Sequence, residues 1–133
     1  MLDQVQKPTR YTGGEMNTQL KPWDSAKLHF AFCFPDTYEV GMSHLGMKIL
    51  YAAMNQQPDM LCERAFMPWV DMMELMKQEN VLLFTLESRS PLSAFDVVGF
   101  TLQYEMSYSN ILAMLELGGI PLLRENRREE DPI

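Results

Sequence analysis

Residues 28–46 read LHFAFCFPDTYEVGMSHLG, and this stretch decides the fold. The run LHFAFCF (28–34) is apolar and aromatic without clean polar alternation, the pattern of a strand covered on both faces. Pro35 ends it, and a polar loop punctuated by Gly41 and Gly46 follows. From about Met42 to Gln57 the residues take a helical period. His44, Lys48, Tyr51 and Asn55 fall on one stripe and Leu45, Ile49, Ala52 and Ala53 on another. Strand, ligand-type loop and helix in that order open an α/β unit, and such a loop is where these proteins hold ligands.

The rest of the chain repeats the alternation. Pro58-Asp59 closes the first helix, MLCERAF (60–66) reads as a second strand, and WVDMMELMKQEN after Pro68 reads as a helix ended by Asn80. VLLFTL (81–86) is a third extended run, and DVVGFTL (96–102) is the best candidate for a buried strand. A helix from about Tyr108 to Leu117 stops at Gly118-Gly119, and IPLL is a candidate for one more strand. No period of 20–50 residues repeats. The expected fold is a doubly wound, mostly parallel α/β sheet of Rossmann- or flavodoxin-like type. Residues 1–26, broken by Pro8, Gly13-Gly14 and Pro22, read as an arm tacked onto the 27–133 domain by Tyr11 and Trp23.

Composition bounds the function. The 133 residues are 47% apolar and 22% charged, ordinary for a soluble globular domain. The net charge of -7 argues against general nucleic-acid binding, which neutralises phosphates with Lys and Arg. No apolar run is long enough to span a membrane and no secretory leader is visible, so the chain reads as cytoplasmic. Cys33 and Cys62 lie in separate apolar segments and read as reduced core thiols. Twelve methionines, many at helical positions, read chiefly as core filling.

In an open parallel sheet the ligand edge lies beyond the carboxyl ends of the strands. The loops after 28–34 and after 96–102 meet there if those two strands pair. A site at that edge draws on Asp36, Tyr38, Gly41, Ser43 and His44 from one loop. Thr101, Gln103, Tyr104, Glu105 and Ser107 contribute from the other. G-x-G-x-x-G, Walker A and G-x-S-x-G patterns are all absent, and His29 and His44 have no carboxylates at metal-ligand spacing. No catalytic or metal residue is assigned.

Asp36, Tyr38 and Gly41 form D-x-Y-x-x-G, which is similar to the D-x-H-x-x-G of cobalamin domains of the methionine-synthase type. It departs from that motif at the histidine that coordinates cobalt. DVVGFTLQ resembles the strand carrying S-x-L in those domains, with Thr101 for the serine and Gln103 for the leucine. The stretches QKPTRYTGGEMN, FPDTYEVGMSHLGMKILY, CERAFMPWVDM, LESRSPL and DVVGFTLQYEMSYSNIL together resemble the N-terminal, cobalamin-binding-like region of a family of radical S-adenosylmethionine (radical SAM) proteins.

The resemblance implies an accessory domain that positions a cofactor or substrate and is not catalytic alone. In that family a downstream domain binds a [4Fe–4S] cluster and S-adenosylmethionine through C-x-x-x-C-x-x-C, a motif this chain lacks. Cobalamin, if bound, would have no histidine ligand and would contact Asp36, Tyr38, Gly41, Ser43, Thr101, Gln103 and Ser107. The implied partner is the radical SAM domain of the same parent protein. The family continues beyond the position of Ile133 with another strand, so an exposed sheet edge open to self-association is expected near the C-terminus. The alternative reading is a degenerate α/β interaction module that binds no cofactor.

Overall fold

The computed structural model describes all residues, Met1–Ile133. Three parallel strands, β1 (Leu28–Phe34), β2 (Met60–Phe66) and β3 (Val97–Phe100), form one sheet in the order β2-β1-β3. The pairing runs from Leu28↔Met60 to Phe34↔Phe66 on one side of β1 and from Phe30↔Val97 to Cys33↔Phe100 on the other. Parallel neighbours require crossover connections, and helices supply them. The α/β reading of the sequence is thereby borne out.

Alternate residues of each strand face opposite layers. Ala31, Cys33, Leu61 and Ala65 pack with Met72 and Met76 of α3 (Val70–Glu79) and Met114 and Leu117 of α4 (Tyr108–Leu117). Phe32, Phe34, Cys62 and Phe66 pack with Met47 and Tyr51 of α2 (Leu45–Gln56). The sheet therefore has helices on both faces, which is why β1 lacks polar alternation. Cys33 and Cys62 are buried and free, on opposite faces. Met47, Met72, Met76 and Met114 are among the most deeply buried side chains, filling the core as expected.

The helices end where local chemistry requires. Asn80 closes α3 in the left-handed region (φ 53), which asparagine tolerates better than most residues. Gly118 caps α4, and Gly119 turns the chain away with φ 74. The single helix expected from about Met42 is in fact two. A short α1 (Tyr38–Met42) ends at Ser43, and His44 then caps α2, its Nδ1 accepting from the Met47 N–H at 3.1 Å.

The two faces of α2 are the reverse of a simple hydropathy reading. Tyr51 and Asn55 are buried, whereas Leu45 and Ile49 are 69% and 57% exposed. Specific polar partners decide this. Asn55 Nδ2 donates to the Cys62 carbonyl at 2.9 Å and its Oδ1 accepts from the Cys62 N–H at 3.0 Å. Tyr51 lies against the Arg64 guanidinium, 4.5 Å from ring centroid to Cζ.

Two expected strands do not join the sheet. Residues 81–86 make one antiparallel bridge, Phe84↔Pro91, because Thr85 and Leu86 bond instead to Ser90 and Arg64. IPLL leads into a 3-10 turn at Arg124–Asn126. β3, at one edge of the sheet, is only half-buried, whereas β2 at the other edge is buried. On that edge the Ile133 N–H donates to the Asp96 carbonyl and the Ile133 carbonyl accepts from the Val98 N–H, at 3.0 and 2.9 Å. This is the hydrogen-bond pattern of a parallel pair, made by a single residue.

Candidate functional site at the strand ends

The chain leaves β1 to form β2 on one side and later returns to form β3 on the other. Strand order thus reverses at β1, and a ligand crevice belongs outside the carboxyl ends of β1 and β3. A cleft of about 220 Å³ lies there, lined by Phe34, Asp36, Val40, Ser43 and His44 from the β1 side and by Gln103, Tyr104 and Ser107 from the β3 side. The two loops singled out in the sequence are therefore neighbours.

Local chemistry fixes each wall. Asp36 Oδ1 accepts from the Thr37 N–H at 2.7 Å, and Asn110 of α4 donates to the Pro35 carbonyl at 2.9 Å, tying the first loop to α4. Ser43 Oγ donates to the Glu39 carbonyl at 2.8 Å. Because His44 Nδ1 accepts from the helix, the neutral ring carries its proton on Nε2, which faces the Gln103 amide at 3.4 Å and donates to it when the amide is turned to present Oε1. The imidazole sits 5.3 Å from the Phe34 ring, so it crosses between the two loops and does not lie on a solvated stripe. Thr101, at the end of β3, has a buried Oγ1 with no hydrogen-bond partner. A buried hydroxyl without a partner is costly.

Tyr38 and Gly41 belong to the opposite side of α1. The Tyr38 hydroxyl donates to Glu15 Oε1 at 2.7 Å, and its ring meets Phe66 edge-on at 5.5 Å. Burial, then the bond to Glu15, pushes the phenol up to about 12. Gly41 is packed so tightly on Phe66 and Phe34 that an added Cβ would stand 3.1 Å from Phe34 Cγ and closer still to Phe66. The structure thus brings Asp36, Ser43, Gln103 and Ser107 around one cleft, with Thr101 two residues from Gln103. It sets Tyr38 and Gly41 apart from them, and Glu105 is exposed outside the lining.

That opposite side holds a polar node that sequence reasoning missed. Arg64 Nε donates to Glu87 Oε1 at 2.7 Å, and Nη2 donates to Glu15 Oε2 at 3.0 Å. The Arg64 and Glu87 side chains are 6% and 1% exposed. Glu15, Tyr38, Arg64 and Glu87 come from four separate stretches that carry the family resemblance, and all converge on one guanidinium. No local signal singled these four out, because each stretch holds other charged or phenolic residues, among them Arg10, Glu39, Glu63 and Arg89. Burial works to raise Glu15, but hydrogen bonds from Tyr38, from the backbone and from Thr18 outweigh it and hold its carboxyl below the usual range.

The model of the family described as "Radical SAM proteins, N-terminal" matches residues 46–133. The chain belongs to this family. No curated protein and no solved structure matches it. Within this radical SAM N-terminal chain, no group of three or more His, Cys, Asp or Glu comes together as a metal site. No helix is long and apolar enough to cross a membrane.

The donor set bears on cobalamin in a specific way. No imidazole nitrogen is free for cobalt at the cleft, since His44 Nδ1 accepts from α2 and its Nε2 carries the ring proton. The Gln103 amide and the Ser43 hydroxyl, both on the lining, provide hydrogen bonding of the kind a corrin's amide-bearing rim needs. At about 220 Å³ the cleft is below the ~300–1,000 Å³ of enclosed small-molecule pockets, so a corrin would have to lie over the strand ends.

Proposed function

We propose that residues 27–133 are the accessory domain of a radical SAM enzyme and seat a cofactor or substrate over the carboxyl ends of β1 and β3. Residues 1–26 act as an arm that braces the domain. The meeting of the two loops at the switch point carries this reading, because it puts Asp36, Ser43, Gln103 and Ser107 around one cleft outside the carboxyl ends of β1 and β3. The [4Fe–4S] cluster and S-adenosylmethionine belong to the radical SAM domain of the parent protein. The ligand to test first is cobalamin, held by Asp36, Ser43, Thr101, Gln103 and Ser107 without a protein ligand to cobalt. Hydroxocobalamin mixed with the chain at about 50 µM, a range in which micromolar affinity shows as co-elution, should co-elute on gel filtration. Its visible spectrum should lack the signature of a protein imidazole on cobalt. Absence of co-elution would refute cobalamin as the ligand.

A second reading has its own observation. Val40, Leu102, Tyr104, Met106 and Tyr108, all from the same two loops and the start of α4, are 48%, 46%, 50%, 80% and 57% exposed. An apolar rim of this kind suits a protein partner, and the radical SAM domain of the same protein is the partner we infer. Changing Met106 and Tyr108 to Ser should then weaken association with that domain while leaving the fold intact. Pairing of two copies through the outer edge of β3 requires displacing Ile133, which already holds the Asp96 carbonyl and the Val98 N–H, and sedimentation velocity at high concentration tests it.

A further inference from the structure

We propose that a second cleft, beneath residues 15–20, binds a small organic monoanion with an apolar body. It measures about 900 Å³, within the ~300–1,000 Å³ of ligand pockets. Residues 15–20 form one wall, and Met42, Met47, Lys48, Tyr51 and Ala52 the other, with Arg64 among the lining residues. Glu15 fastens one end of this segment to Arg64. The Gln19 N–H, donating to the Tyr51 hydroxyl at 2.8 Å, fastens the other.

The donor count at Arg64 identifies the ligand chemistry. A guanidinium has five N–H groups and no acceptor. Nε is taken by Glu87, and Nη2 by Glu15 and by Thr18 Oγ1 at 3.4 Å. Nη1 has only the Met42 thioether, at 3.3 Å. Sulfur is a weak acceptor, so a charged donor on a side chain only 6% exposed lacks an oxygen partner. A carboxylate or sulfonate oxygen would supply a charge-assisted hydrogen bond.

Lys48, on the same cleft, forms no ion pair and adds a second positive charge. The charges of Arg64 and Lys48 only cancel those of Glu15 and Glu87, so selection for an anion comes from the Nη1 donor and the unpaired Lys48 ammonium and not from net charge. The thioethers of Met42 and Met47 and the Ala52 methyl form an adaptable apolar wall for the ligand body. Nothing in this site overlaps the strand-end cleft, which lies on the other side of α1.

The test uses 2-naphthoate as probe, titrated into the 133-residue chain and followed by amide NMR. Saturable shifts should map to residues 15–20, 47–52 and 64. The neutral analogue 2-naphthalenemethanol should bind about tenfold more weakly, the scale of one lost charge-assisted hydrogen bond. Ala52→Trp, which fills the cleft from α2, should abolish the shifts, and Lys48→Met should weaken binding several-fold. Failure to saturate at millimolar naphthoate would overturn the proposal, as would shifts mapping to His44 and Gln103, equal binding of the neutral analogue, or undiminished binding by Ala52→Trp.

Discussion

The two sides of the short α1 helix are finished differently. On one side Glu15, Tyr38, Arg64 and Glu87 interlock and are mostly buried, and only Arg64 Nη1, left to the Met42 thioether, has no oxygen partner. On the other, His44 and Gln103 face each other across the strand-end cleft at 3.4 Å, and Thr101 at the end of β3 keeps a buried hydroxyl without a partner. The first side has the character of a structural clamp that holds the arm across β2. The second has spare hydrogen-bonding capacity at a topological switch point, where ligands bind in this architecture. Satisfied polar groups rigidify, and unsatisfied ones mark where something else is meant to bind.

The largest test of this contrast is Arg64→Leu. It strands two carboxylates, one of them 1% exposed, and should cost about 3–5 kcal/mol of unfolding free energy in urea titrations. A loss below about 1 kcal/mol, the worth of an exposed ion pair, would show that the node is not a clamp.

Acid should release the arm next. The Glu15 carboxyl is depressed in the folded state, so its stabilisation is present above the unfolded value of about 4.3 and is lost as pH falls through the folded value. The Gln19 amide signal should therefore shift or exchange faster once the pH has fallen below the ordinary carboxylate range, while core amides of β1 stay protected. Simultaneous loss of both sets would argue against a separable arm.

His44→Ala removes the cap on the Met47 N–H and should cost about 1 kcal/mol, measured by thermal unfolding. Thr101→Val has the smallest expected effect on stability. It removes a buried hydroxyl that has no partner, so stability should be unchanged or higher by up to about 1 kcal/mol. A clear loss of stability would mean the hydroxyl is bonded in solution.

How far the sequence led differs between the same two regions. β1, β2, α3 and α4 were readable because burial on both faces, proline and glycine stops and helical spacing are local signals. So was the meeting of the 35–44 and 101–107 loops, which follows from topology alone. The break at Ser43 was not readable, since it depends on His44 capping α2. The face of α2 was misjudged because Asn55 serves the edge of β2 and Tyr51 serves Arg64, partners that lie 7 and 13 positions further along the chain. The node itself is an assembly of distant segments, visible only once the fold has brought them together.

The central claim is that the β1–β3 strand-end cleft is the ligand seat of this radical SAM N-terminal domain. Ser43 is exposed on its wall, so Ser43→Trp should fill the cleft without disturbing the core. The most direct measurement is equilibrium dialysis of hydroxocobalamin against the native chain and against this variant. The account predicts saturable one-to-one binding by the native chain and its loss in Ser43→Trp. No binding by the native chain, or equal binding by both, would contradict it.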